Sequence, residues 1–262
     1  MIDVYPPEHT PHTWRDFFIH IATIVVGLVI AIGLEQTVEA IHNAHERRTL
    51  IEEMHAEAES NIDPLRTDID RDLDKARWQI VVMEAIRAAP PKSGFVTVVL
   101  PPHAGFYPQI YPSRAVWAVA KTNGKVALLS ETQAEVYDRL DSEATNEIAA
   151  DDRVNIAQTK LQSEEIRLGI HLQPGLTVKL PSSDVPILTQ DIAEIVAGAQ
   201  NDAQQCAFWI GAARAVADRV QNRDAFVPYF RQERLTLEDR LSLEDHPALE
   251  DHPAQQVRPA KQ

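Results

Sequence analysis

Hydrophobic and polar positions along this chain change their pattern several times, and each change predicts an element. From Phe17 to Leu34, eighteen consecutive residues hold no Asp, Glu, Lys or Arg. At 1.5 Å per residue, a helix of that length reaches about 27 Å, close to the hydrocarbon thickness of a bilayer. Only His20 and Thr23 interrupt it as polar side chains, so it lacks the polar face of a soluble helix. The pattern predicts one membrane-spanning helix. Beyond it, apolar residues recur at Ile51, Met54, Ala58, Ile62, Leu65, Ile69, Leu73, Ala76, Ile80 and Met83. That spacing is the period of one amphipathic helix. With Val38 and Ile41 upstream, the helix is expected to run from within the membrane to Ala88. Pro64 would kink or restart it, and Pro90-Pro91 would end it.

Residues 89–112 are rich in proline and aromatics. Gly94 to Leu100 has strand character, but a lone strand is marginal, which favours an extended loop packed on helices. Ser113 can cap a short helix through Val116–Val119, closed by Asn123-Gly124. Ser130-x-x-Gln133 reads as a capping box opening a long helix towards Leu168. After a loop with Pro174, Pro181 and Pro186, Thr189 is placed to cap a last helix. Its stripe is Ile192, Ile195, Ala199, Ala203, Cys206, Ile210, Ala213, Ala217 and Val220. The expected fold is mainly α: one N-terminal transmembrane helix continuing into an antiparallel helical bundle, with a disordered C-terminal tail. The expected segments are a tail over 1–16, the membrane helix over 17–35, the bundle over 36–231 and a low-complexity tail over 232–262. In that tail Leu-Glu-Asp recurs from Leu237, Leu243 and Leu249, a spacing of six that fits no helical period, among prolines at 247, 253 and 259.

The flanks of the apolar run fit an anchor that is retained. A cleaved signal has a basic start, a core of about 7–15 apolar residues and a small-x-small cleavage site. Here Arg15 is the only basic side chain before Phe17, against Asp3, Glu8 and Asp16. The exit, Leu34 to Ala40, offers a poor cleavage site. Thr10-Pro11 and Thr13-x-x-Asp16 suit helix starts. Trp14, Phe17 and Phe18 stand where aromatic rings settle at a headgroup level. Arg15 lies much nearer the membrane boundary than Arg47 and Arg48, which leans towards the N-terminus inside and the C-terminal domain outside. Within the run, His20, Thr23, Gly27, Ala31 and Glu35 share one face. Thr23, Gly27 and Ala31 would let another helix backbone approach, as small-xxx-small stripes do.

Charge then excludes partners. A formal net charge of −14 argues against nucleic acid and against anionic lipid beyond the anchor itself. Cys206 is the one cysteine, so no intrachain disulfide exists, and its apolar neighbours suggest a small buried hydrophobe.

Candidate chemistry is thin. Glu39-x-x-His42 and Glu52-x-x-His55 have the spacing of bundle di-iron ligands, yet both lie on one helix and cannot surround one ion. His42 and His45, with Glu39 or Glu46, read better as a hydrated polar collar. Asp68-x-Asp70-x-Asp72 opens like a calcium loop, but Leu73 and Gln79 stand where glycine and glutamate are needed. Alternating aspartates on a solvated helix surface are the better account. Trp117 with Tyr107 and Tyr111 could line an aromatic pocket, though such residues more often pin a loop to a core. No nucleophile elbow, phosphate loop, dinucleotide fingerprint or zinc-protease motif occurs, so no cofactor, metal or enzymatic activity is expected.

Two stretches carry a resemblance: His12 to His20 with Gly27 to Gln36, and Tyr111 to Trp117 with Gly124 to Leu129. They resemble uncharacterised bacterial single-pass membrane proteins with an N-terminal anchor and a helical domain. The resemblance implies a bacterial inner-membrane location and assigns no functional residue. The functional expectation is a membrane-anchored, scaffold-like interaction protein, partnered by the lipid bilayer and by a second copy or another membrane protein. The alternative is an extracytoplasmic small-ligand sensor coupled to the membrane helix. A filled core points to the scaffold and a polar or aromatic cavity to the sensor.

Overall fold

Helix-forming sequence with few glycines yields five α-helices and a single two-stranded sheet in the computed structural model, which describes residues 14–102 and 112–244. The helices are α1 (Trp14–Ala88), α2 (Ala115–Thr122), α3 (Glu131–Leu168), α4 (Val185–Ala217) and α5 (Val227–Glu244). Strands β1 (Phe95–Val99) and β2 (Thr177–Pro181) pair antiparallel. The chain divides into two units, Met1–Ile51 and Glu52–Gln262.

In the first unit, α1 carries the apolar run with all of its most hydrophobic window exposed, at a mean hydropathy of 2.6. It is long and apolar enough to cross a membrane. The Thr10-Pro11 and Thr13 capping expectations lie outside the described residues.

In the second unit, the stripe on α1 is buried as its period requires: Met54, Ala58, Leu65, Ile69, Leu73 and Ala76 are all in the core. Pro64 neither ends nor restarts the helix, which continues through it. Two local bonds flank the proline. Thr67 Oγ1 donates to the Asp63 carbonyl at 3.1 Å, and Arg66 pairs with the Asp63 carboxylate at 2.8 Å.

The long loop before α2 also departs from expectation. Residues 95–99 form a true strand because β2, far away in sequence, supplies its partner in the register Val96↔Leu180, Val98↔Val178. The inward side chains Val96, Val98, Val178 and Leu180 are buried against Val82, Ile86, Leu161 and Ile192. Outside, Lys179 Nζ sits 4.3 Å from the Phe95 ring centroid.

Helix α3 starts as its sequence predicts. Ser130 Oγ accepts from the Gln133 backbone N–H and the Gln133 side chain accepts from the Ser130 N–H, a complete capping box. Gly169, at φ +65°, closes it. Helix α4 begins four residues ahead of Thr189, at Val185, with Pro186 in its first turn, where the missing N–H costs nothing. Thr189 is buried inside the helix and donates to the Pro186 carbonyl at 3.1 Å.

Burial on α4 exceeds its predicted stripe: Ala207, Trp209, Ala212, Ala215 and Val216 are buried as well. Helix α5 covers part of this surface and comes so close at Gly211 that a Cβ there would lie 2.9 Å from the Phe230 ring, while Trp209 lies beside Met54, Trp117 and Tyr137. Helix α5 runs to Glu244 and so occupies the start of the stretch expected to be a disordered tail. It is tied down by Arg214–Glu233 and by Arg240 Nη1 to Asp70 Oδ1 at 2.6 Å. Residues 245–262 lie outside the described residues.

Candidate functional site

Three helices of the second unit converge their acids on one buried point. Helix α1 presents Asp68, Arg71 and Asp72, α3 presents Glu147 and Asp151, and α4 presents Asp202 and Cys206. Asp72 is 1% exposed, and Asp202 and Cys206 are fully buried. This corrects two expectations. The aspartates at 68 and 72 do not lie on a solvated surface; only Asp70 does. Cys206 is buried as expected, but carboxyl groups surround it and its sulfur lies 4.0 Å from Glu147 Oε1.

Arg71 is hydrogen-bonded to two of these acids, and the Lys75 charge acts on Asp72 from farther off. Arg71 Nη1 donates to Asp68 Oδ1 at 2.6 Å and its Nε to Asp72 Oδ1 at 3.4 Å. Asp72 Oδ2 and both oxygens of Asp202 meet no donor among the described residues. The Asp72 and Asp202 carboxyl groups hydrogen-bond each other, which two such acceptors can do only through a shared proton. One donor atom each from Asp72, Asp202 and Cys206 lies within 4.8 Å of the other two.

The electrostatics follow from the burial. Desolvation raises the Asp202 carboxyl far above the usual range, and the Asp72, Glu147 and Asp151 charges add to it. Burial raises Asp72 too, with Arg71 opposing. Glu147 is pushed up to about 7, first by burial and then by Asp151, Asp68 and Asp72. Asp68 is pushed up to about 6 by burial, which Arg71 only partly offsets. Burial drives the Cys206 thiol well above its normal range, helped by Asp202 and Glu147.

The spacing that creates this site is visible in hindsight. Asp68 and Asp72 are four apart on α1, and Asp202 and Cys206 four apart on α4, each beside the apolar stripe of its helix.

The other expected positions are not brought together with it. On the first unit, Thr23, Gly27 and Ala31 are exposed on one face, and a Cβ at Gly27 would meet nothing. Thr23 Oγ1 donates to the Ile19 carbonyl at 2.9 Å, so its hydroxyl is already engaged. Trp14, Phe17 and Phe18 form a ring cluster with centroids 5.9–6.2 Å apart. His42 Nε2 lies 3.3 Å from Glu46, both accessible to solvent. Tyr107 and Tyr111 lie outside the described residues, while Trp117 is buried 5.6 Å from the Tyr137 ring. The space beside those two rings and Trp209 is about 10 Å³, far too small for an organic ligand. A shallow groove of about 880 Å³ lies between α1, α4 and α5, with Ile80, Val81, Leu237 and Leu241 in its lining.

No protein family, curated protein or solved structure gives a significant match to this chain.

Proposed function

We propose that this chain is a single-pass membrane protein whose anchor crosses a bacterial inner membrane and whose acidic helical bundle acts as an interaction scaffold. The observation that carries the reading is the exposed apolar surface of α1. Between Phe17 and Leu34 its large side chains are 42–69% exposed, a surface unfavourable in water and ordinary in lipid. The ring cluster at Trp14, Phe17 and Phe18 suits one interface, and Glu35, Glu39 and His42 suit the other. Arg15 close to the boundary favours the bundle on the outer side. The exposed, open stripe of Thr23, Gly27 and Ala31 supports pairing of anchors through close backbone approach. A filled aromatic space beside Trp117 favours a scaffold over a small-ligand sensor.

Washing native membranes with alkaline carbonate tests the anchor: the protein stays in the pellet, and release into the supernatant would refute the reading. Replacing Gly27 with Ile should lower self-association in a membrane-dimerisation reporter at least several-fold. Unchanged association would remove that face as the interface.

A further inference from the structure

The buried acids of α1, α3 and α4 leave a charge arrangement that the protein's own groups do not balance. Asp202 is fully buried, and apart from a proton shared with Asp72 no N–H or O–H among the described residues reaches its oxygens. Asp72 Oδ2 is in the same position, because Arg71 engages only Oδ1 and Asp68. A buried carboxylate without a donor is strongly disfavoured, and two facing each other are worse. The remedy is a proton or a cation. Several features select a cation with affinity for sulfur: Cys206 Sγ shares the same small space, its donor atom and those of Asp72 and Asp202 lie within 4.8 Å of one another, and Glu147 Oε1 is 4.0 Å from the sulfur. In a tetrahedral zinc site with bonds of about 2.0 Å to oxygen and 2.3 Å to sulfur, donor atoms stand about 3.3–3.8 Å apart. A contraction of about an ångström brings Asp72, Asp202 and Cys206 to that geometry.

We propose that Asp72, Asp202 and Cys206, with Glu147 as fourth donor, bind one divalent transition-metal cation of borderline softness, Zn²⁺ foremost. Thiolate with carboxylates disfavours Mg²⁺ and Ca²⁺, which take oxygen ligands in larger number. The ion displaces the Cys206 proton, the proton shared by Asp72 and Asp202 and any proton on Glu147, and all leave to solvent. Asp72, Asp202, Glu147 and Cys206 then bring four negative charges against the ion's two and Arg71's one, which leaves one net negative charge on the set. The site joins α1, α3 and α4 at one point, so the metal would clamp the bundle as structural zinc does. This inference is independent of the membrane reading, since every ligand lies in the second unit.

Cys206 is the chain's one cysteine, so a thiolate signature has a single source. The test uses the full-length protein in detergent, stripped with chelator and titrated first with Co²⁺ and then with Zn²⁺. One equivalent of Co²⁺ should produce a near-ultraviolet sulfur-to-cobalt charge-transfer band, and one equivalent of Zn²⁺ should remove it with release of protons. Cys206→Ser should abolish the band, and Asp202→Asn should weaken binding on the order of 100-fold. Metal held only by the exposed His42 and His45 collar gives no thiolate band. Absence of the band in the unmodified protein overturns the proposal without depending on any variant's folding. Equal affinity in Asp202→Asn, with helical content retained by circular dichroism, overturns it as well.

Discussion

His55 is half-buried on α1 beside the ion pair that Arg219 Nη2 makes with Glu52 at 2.9 Å. Burial and then the Arg219 charge hold its pKa below the usual histidine value, while Glu52 pulls the other way. The folded protein therefore takes up this proton less readily than the unfolded chain. Its contribution to stability is complete above the unfolded pKa of about 6.5 and is lost as pH falls through and below that value. Replacing Arg219 with Gln should raise the His55 pKa and shrink the stability lost between pH 7 and pH 5, read by urea denaturation at both values. An unchanged pH slope would exclude the Arg219 charge as the cause. At this scale the sequence is least legible. Charged residues are surface residues by default, so Asp68, Asp72 and Asp202 read as solvated. Their burial comes from two other helices that no local pattern announces. Cys206 was readable as buried from Ala203 and Ala207, but not as the neighbour of four carboxyl groups.

Among the elements, helices with a strong stripe and explicit caps could be read directly: α3 opens at its Ser130 box and closes at Gly169, where the backbone is left-handed. Strand β1 could not, since its pairing with β2 spans some eighty residues and alternation in a five-residue segment is a weak signal. Thr189 misled because a threonine followed by an apolar stripe imitates a cap, whereas Pro186 marked the true first turn. Two substitutions test the helices as physical objects. Pro64 lacks the N–H that would bond the Ser60 carbonyl, so Pro64→Ala should stabilise the protein by about 1–3 kcal/mol in denaturant titrations. Gly211→Ala should act the other way. Helix propensity favours alanine by about 1 kcal/mol, but its Cβ would stand 2.9 Å from the Phe230 ring and 3.2 Å from the Phe230 backbone nitrogen. Backbone cannot rotate aside, so the expected net effect is a loss of about 1–2 kcal/mol. A gain in stability would mean that α5 is not seated on α4 as described.

On the scale of the whole chain, the proposed membrane reading asks different solvents of the two units. The residues from Glu52 onward bury a core of their own. It runs from Met54 and Trp209 through the alanines of α4 to the sheet with Val96 and Leu180, in a chain whose acids outnumber its bases. Among its described residues the first unit offers no such core, only the apolar run of α1. A fragment covering residues 47–262 should therefore express without detergent, remain monomeric, and unfold in a single cooperative transition. Full-length protein should need detergent or lipid for the same behaviour. Size-exclusion chromatography with light scattering, followed by thermal melting monitored at 222 nm, separates the outcomes. If the fragment aggregated, or melted without cooperativity, the apolar run would be part of the protein's own core and the membrane would lose its claim on it. A soluble fragment with a sharp melt assigns the fold to one unit and the anchoring to the other. It would also show that the acids buried between α1, α3 and α4 are tolerated without help from a bilayer.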